Sequence, residues 1–256
     1  MVNWSRYMEE RLVSAEDRVL VVDAGNTRIK VTAFENDQIL WIKRDESDLA
    51  AIGFIPDAVY FASVRSSEES ALLYSGIQKQ FPESRCFALS SQSSACGVNN
   101  AYVEPERLGI DRWLGVVAAH HVMRCDVVVV DAGTAIKVDV VNESGIHLGG
   151  YIAPGLVMME DSLLSKTARI RYSPKEVVEG QGLPNSTARA VSEGCSEMAL
   201  GFLERIYQRY PDYKWIAAGG DAQVLLSLLG VSIECQPDLV ALGAKLVGDE
   251  QRRGNK

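Results

Sequence analysis

Positive charge is in short supply in this chain of 256 residues: 26 Lys and Arg stand against 34 Asp and Glu, a formal net charge of −8. Non-specific nucleic-acid binding draws on clustered Lys and Arg, so a nucleic-acid partner is not expected. The same balance does not exclude an anionic substrate, because a local nest of backbone N–H groups holds phosphate even in an acidic protein. Long apolar runs are missing as well. No stretch reaches the roughly 20 residues of a bilayer-spanning helix, so no membrane partner is expected. Residues 1–18 are polar and mixed in charge, without the apolar centre of a secretion signal. Cysteines are few: Cys86, Cys96, Cys125, Cys195 and Cys235 are odd in number, widely spread and form no CxxC pair. That pattern argues against a disulfide framework or a zinc site and leads us to expect buried free thiols in a reducing cytoplasm. Several nucleotide and catalytic signatures are absent: GxxxxGK[ST], GxGxxG after a strand, the protein-kinase set and GxSxG. His120, His121 and His147 have no matching nucleophile signature, and the His120-His121 pair reads as structural.

What the chain does have is a near-repeat. VVDAGNTRIKV at Val21–Val31 and VVDAGTAIKV at Val129–Val138 align after deletion of one residue. With 47% hydrophobic and 23% charged residues, the chain suits one large domain or two small ones. Each copy reads as a hairpin, with strands at residues 18–22 and 28–34 in the first and 127–130 and 136–141 in the second. A third strand is expected at 38–42, and others at 58–62, 85–89 and 215–218. Ser66-Ser67-Glu68-Glu69 reads as a capping box opening a helix to about Gln80. Further helices are expected at 111–123, from a Ser186-Thr187 cap to Tyr210, and at 222–229. Residues 99–109 and the Gly149-Gly150…Pro154-Gly155 segment read as loops. A fixed repeat is an architectural signal, so the chain reads as two α/β halves with mixed sheets, meeting at a cleft. We place the halves at 19–115 and 116–256, behind an N-terminal extension of 18 residues.

The repeated turn suggests chemistry. Gly25 and Gly133 remove a Cβ that would obstruct a phosphate, Thr27 and Thr134 offer hydroxyls, and Lys30 offers a point charge. Asp23 and Asp131 repel phosphate unless a cation lies between, a role that suits Mg2+. Two such turns facing each other would grip a polyphosphate from both sides.

These pieces, taken in order, resemble the type III pantothenate kinases of the acetate and sugar kinase, Hsp70 and actin superfamily. The resemblance runs from about Val19 to about Val247. It rests on Asp23-Ala24-Gly25-Asn26-Thr27 with Lys30, Gly109-Ile110-Asp111-Arg112 and Asp131-Ala132-Gly133-Thr134-Ala135. Asn100-Ala101-Tyr102, Leu148-Gly149-Gly150, Ala153-Pro154-Gly155 and Gly219-Gly220-Asp221 lie around these motifs. It implies two RNase H-like, actin-like ATPase subdomains flanking a central nucleotide cleft, and ATP-dependent phosphorylation of pantothenate as the activity. By that resemblance Asp23, Ala24, Gly25, Asn26, Thr27, Arg28, Ile29 and Lys30 form the first phosphate loop, and Thr134 also touches ATP. Asp111 is implied as the general base. Tyr102, Gly109, Ile110, Asp111, Arg112 and Thr187 are implied to hold pantothenate. Asp131 is implied to serve a monovalent cation, K+ or NH4+, beside the Mg2+ that accompanies ATP. The family's homodimers lead us to expect Thr187 to act across a subunit interface. Ile110 departs from the small residue common at its place in the GxDR motif. Phosphoryl transfer asks for positioning, charge neutralisation and a carboxylate that takes the hydroxyl proton, and Arg112 suits a two-point clamp on the pantothenate carboxylate. The rival readings are a kinase for another small hydroxy acid or sugar, and a non-catalytic transcription accessory protein of the same fold. The intact Asp23, Lys30, Asp111 and Arg112 weigh against the second.

Overall fold

Apolar runs punctuated by Gly-containing turns build two sheets of identical strand order. The computed structural model describes residues 17–44, 53–178, 180–230 and 233–254, and the polar lead at residues 1–16 lies outside them. The described residues divide into two compact units. One holds the chain up to Arg124, Ser144–His147, and the residues from Asp238 on; the other holds Cys125–Glu143 and Leu148–Pro237.

In the first unit the strands are β1 (Arg18–Ala24), β2 (Ile29–Glu35), β3 (Gln38–Arg44), β4 (Ala58–Ser63) and β5 (Arg85–Ala88), in the order β3-β2-β1-β4-β5. β1 is antiparallel to β2 and parallel to β4. Because successive side chains alternate faces, Leu20, Val22 and Ala24 of β1 join Val59 and Phe61 of β4 in one cluster. Helix α1 (Ser67–Gln80) covers that face with Ile77, and Phe81 just beyond its end joins it. Each such buried side chain contributes about 1.5–3 kcal/mol. The expected capping box of α1 is present: Ser66 accepts from Glu69 N–H, and Glu69 accepts from Ser66 N–H. A small hairpin, β6 (Ser94–Ala95) and β7 (Val98–Asn99), precedes α2 (Ile110–Met123). Within the segment expected as a loop at 99–109, Asn99 belongs to β7 and Pro105–Arg107 forms a single 3-10 turn.

The second unit repeats the plan. Its strands are β8 (Val127–Ala132), β9 (Ala135–Val141), β10 (His147–Pro154), β11 (Lys214–Ala218) and β12 (Glu234–Cys235), in the order β10-β9-β8-β11-β12. Again the first strand is antiparallel to the second and parallel to the fourth. Val128, Val130 and Ala132 pack under α4 (Thr187–Arg209) through Leu203 and Ile206, and under α5 (Ala222–Leu228) through Leu225 and Leu226. Helix α3 (Leu156–Lys166) packs along α4.

Two expectations need correction. The Gly149-Gly150…Pro154 segment is strand β10 and not a loop. It is an edge strand, where Gly and a terminal Pro are tolerated because only one side must pair. The thiols are mostly not buried: Cys195 is, Cys86, Cys96 and Cys125 are half-buried, and Cys235 is exposed. All five are free, and Cys235 reaches the surface because β12 lies at the sheet edge.

The expected boundary at 115/116 would cut α2 in two. The structure keeps α2 whole and ends the first unit at Arg124, in a left-handed C-cap with φ 49°. A last helix, α6 (Leu239–Gly254), returns to the first unit and packs along α2. Two glycines permit that approach. A Cβ on Gly243 would lie 2.0 Å from the Leu114 carbonyl oxygen, and one on Gly248 would lie 2.4 Å from the Tyr60 ring.

Candidate active site

Both copies of the repeated motif sit at the same place in their sheets. β1 runs buried through Val22 and ends on Asp23-Ala24, the turn Gly25–Arg28 follows, and β2 returns. Asp23 stands directly opposite Lys30 in this antiparallel ladder, as Asp131 stands opposite Lys137 in the other. Paired positions share a face of the sheet, so each turn carries an Asp and a Lys side by side. Each turn is also braced by the loop after the parallel neighbour. Val64 N–H donates to Ala24 O at 3.1 Å, and Asp221 N–H donates to Ala132 O at the same distance.

The two copies then differ. In the first, the Lys30 ammonium donates to Asp238 Oδ1 at 2.6 Å, and Arg65 Nε donates to the Gly25 carbonyl at 2.8 Å. In the second, Lys137 Nζ donates to Asp131 Oδ2 at 2.6 Å. Bare backbone surrounds the second turn. Gly155 passes so close that a Cβ would lie 2.1 Å from Gly133 O, and its N–H donates to Thr134 O at 3.1 Å. Gly219 adopts φ +90°, and its Cβ would lie 2.1 Å from Ala132 O. The Ala-Pro-Gly and Gly-Gly-Asp segments are therefore parts of this turn's packing.

Asp111 stands in the first turn of α2, where Gly109 provides no side-chain cap. Its Oδ1 accepts the Arg112 N–H at 2.8 Å, satisfying one of the orphan donors of the helix start. Arg112 is only 6% exposed. Its Nη1 donates to the Tyr102 hydroxyl at 2.9 Å, and its guanidinium lies 5.7 Å from that ring's centre. Tyr102 is positioned by Asn100, which accepts Tyr102 N–H at 2.9 Å and donates to Gln92 O at 3.1 Å. Tyr102 and Arg112 thus meet through their side chains, with Asp111 next in the chain and Gly109 and Ile110 leading into the helix.

Thr187, Asp131 and Thr134 belong to the second unit, Thr187 at the first position of α4 behind its cap Ser186. It lines an apolar groove of about 430 Å³ with Leu163, Ile170, Ala190, Val191 and Met198 among others. Sequence reasoning missed Arg65, Asp238 and Lys137. Lys137 had a signal: it occupies the place of Lys30 in the aligned repeat. Arg65 and Asp238 had none, since only the tertiary fold brings them to the first turn.

The profile of one family, type III pantothenate kinase, matches residues 19–209. This chain belongs to the type III pantothenate kinase family. A type III pantothenate kinase of Marinomonas sp. (strain MWYL1) is 69% identical over 244 residues, which cover 95% of this chain and all of the relative. Another, of Pseudomonas aeruginosa (strain LESB58), is 36% identical, covering 89% of this chain and 98% of the relative. Among solved structures, a protein of Campylobacter jejuni described as a Baf family transcriptional activator superposes with TM-score 0.56. It is 24% identical and covers 91% of this chain and 99% of that one. A protein of Porphyromonas gingivalis described as an N-acetylglucosamine kinase gives TM-score 0.51 at 12% identity, covering 88% and 98%. These two likenesses concern the fold, which is that of the actin-like ATPases and sugar kinases.

Proposed function

We propose that this type III pantothenate kinase family member transfers the terminal phosphoryl group of ATP to the hydroxyl of pantothenate, giving 4'-phosphopantothenate, with Asp111 as general base. The observation that carries the reading is the Asp111–Arg112–Tyr102 cluster at the start of α2. It sets a carboxylate in the first turn of a helix, one residue before a buried Arg. Arg112, already oriented by Tyr102, supplies a planar donor pair for the carboxylate of pantothenate. Asp111 accepts the hydroxyl proton as the hydroxyl oxygen bonds to phosphorus and the bond from phosphorus to the leaving ADP oxygen breaks. The first turn, Asp23 to Lys30, is the part of its unit we assign to the phosphates of ATP. The rivals are set aside on family membership, since the two structural likenesses extend to fold and not to activity.

A kinase of this family uses ATP with a divalent metal. Among the described residues no group of three His, Cys, Asp or Glu side chains could hold a metal alone. That fits Mg2+, which commonly takes one or two carboxylates with water and phosphate oxygens; Asp23 is the residue we assign to it. When bound, the metal neutralises phosphate charge. A free K+ or NH4+ ion at Asp131 fits less well, because Oδ2 already carries the Lys137 ammonium. We place the enzyme in the cytoplasm and read it as a homodimer; among the described residues no helix is long and apolar enough to cross a membrane. The apolar groove beside Thr187 is the face we assign to the second copy, with Met198, 69% exposed, among its lining residues.

The test is product formation: incubation with ATP, Mg2+ and pantothenate yields phosphopantothenate, and N-acetylglucosamine or acetate in its place yields no phosphorylated product. Turnover of either alternative at a rate equal to pantothenate would overturn the assignment.

A further inference from the structure

We infer that Lys137 is the built-in monovalent cation of the second phosphate turn, so that this chain binds ATP and turns over without added K+ or NH4+. The inference rests on the proposed phosphate-binding role of that turn. Asp131 is the penultimate residue of β8, beside the turn, where its charge would repel an incoming phosphate. Something positive must stand against it. The chain supplies that charge itself: Lys137 is directly opposite Asp131 in the β8–β9 ladder, and its Nζ lies 2.6 Å from Oδ2.

A lysine ammonium carries the same charge as NH4+ and presents three N–H donors. Tethered three residues beyond a two-residue turn, it acts at an effective concentration that a dissolved ion must exceed to compete. Both partners are partly shielded, with side chains 20% and 31% exposed, so solvent screens the pair less than it would a surface pair. The other copy of the repeat draws in a further carboxylate. Lys30 faces Asp23 in the same register, and its ammonium reaches Asp238 at 2.6 Å.

The experiment measures ATP binding by calorimetry without pantothenate, and turnover with it, in buffers whose only small monovalent cation is Na+, K+ or NH4+. The unsubstituted enzyme should give the same ATP affinity and rate in all three within about twofold. Lys137→Met, which keeps the stem and removes the charge, should lose on the order of 10- to 100-fold in ATP affinity in Na+. NH4+ or K+ should restore much of that loss, and Lys137→Arg should stay independent of the ion. An unsubstituted enzyme that needs K+ or NH4+ would overturn the inference without any variant. So would a folded Lys137→Met with undiminished ATP affinity in Na+. Ion-independent ATP binding without phosphopantothenate formation would leave Lys137 in place and refute the proposed activity.

Discussion

Asp111 and Arg112 are neighbours in sequence, yet the account gives them different work, and substitution should separate them. Asp111→Asn keeps the size and the contact to Arg112 N–H but cannot take a proton, so it should fold and bind ATP while kcat falls about 10²–10⁴-fold. The change in KM for pantothenate should be smaller. Arg112→Ala should chiefly raise KM, since a carboxylate clamp acts in ground and transition state alike, and Tyr102→Phe should do so more weakly by releasing the guanidinium's 2.9 Å anchor. Steady-state kinetics on the three variants reads the split directly. At this scale the sequence was most informative where residue type dictates chemistry. Tyr102 and Arg112 were legible together and lie 2.9 Å apart, with Asp111 next in the chain, whereas Arg65 and Asp238 come to the first turn only through the loop after β4 and the start of α6. Nothing local in the sequence marks them.

Among the elements, α6 best shows why part of the fold was hidden. Its sequence carries Gly243 and Gly248, residues that weaken a helix by about 1 kcal/mol relative to Ala and so obscure its pattern. In the structure they are the points of closest approach to α2 and β4. Gly243→Ala should therefore destabilise the protein, the reverse of the usual helix effect, because the new methyl meets backbone at Leu114. Denaturant titration checks the sign. The same helix is tied down by a buried network in which Tyr60 donates to Asp249 at 2.8 Å and Lys245 donates to the other oxygen at 2.6 Å. Asp249→Ala should cost about 3 kcal/mol, since it leaves the buried Lys245 ammonium to the longer 3.4 Å contact with Asp37. Burial, reinforced by the Asp249 charge, pushes the Tyr60 hydroxyl well above its ordinary value. The protonated phenol is therefore favoured by folding: its contribution is whole below about pH 10 and is lost as pH rises further. Unfolding titrations should show a steeper alkaline loss for the unsubstituted protein than for Tyr60→Phe. The edge strand β10 was misread for a related reason, its Gly and Pro content being acceptable only where one side of a strand is unpaired.

For the whole molecule, the internal repeat was the strongest signal in the sequence, and the two sheets reproduce it strand for strand. It could not show where the chain crosses between units, because the return of α6 depends on packing contacts far apart in sequence. Assembly belongs to this scale as well. If a second copy covers the groove beside Thr187, light scattering should give a dimer mass, and Met198→Glu should shift it toward monomer while raising KM for pantothenate. A monomer with full activity would remove Thr187 from the site. The most direct test of the central claim is a mass-spectrometric assay of phosphopantothenate formed from ATP and pantothenate with Mg2+, run beside Asp111→Asn. The account predicts product from the unsubstituted enzyme and a rate lower by at least about 10²-fold from the variant; equal rates, or no product from either, would contradict it.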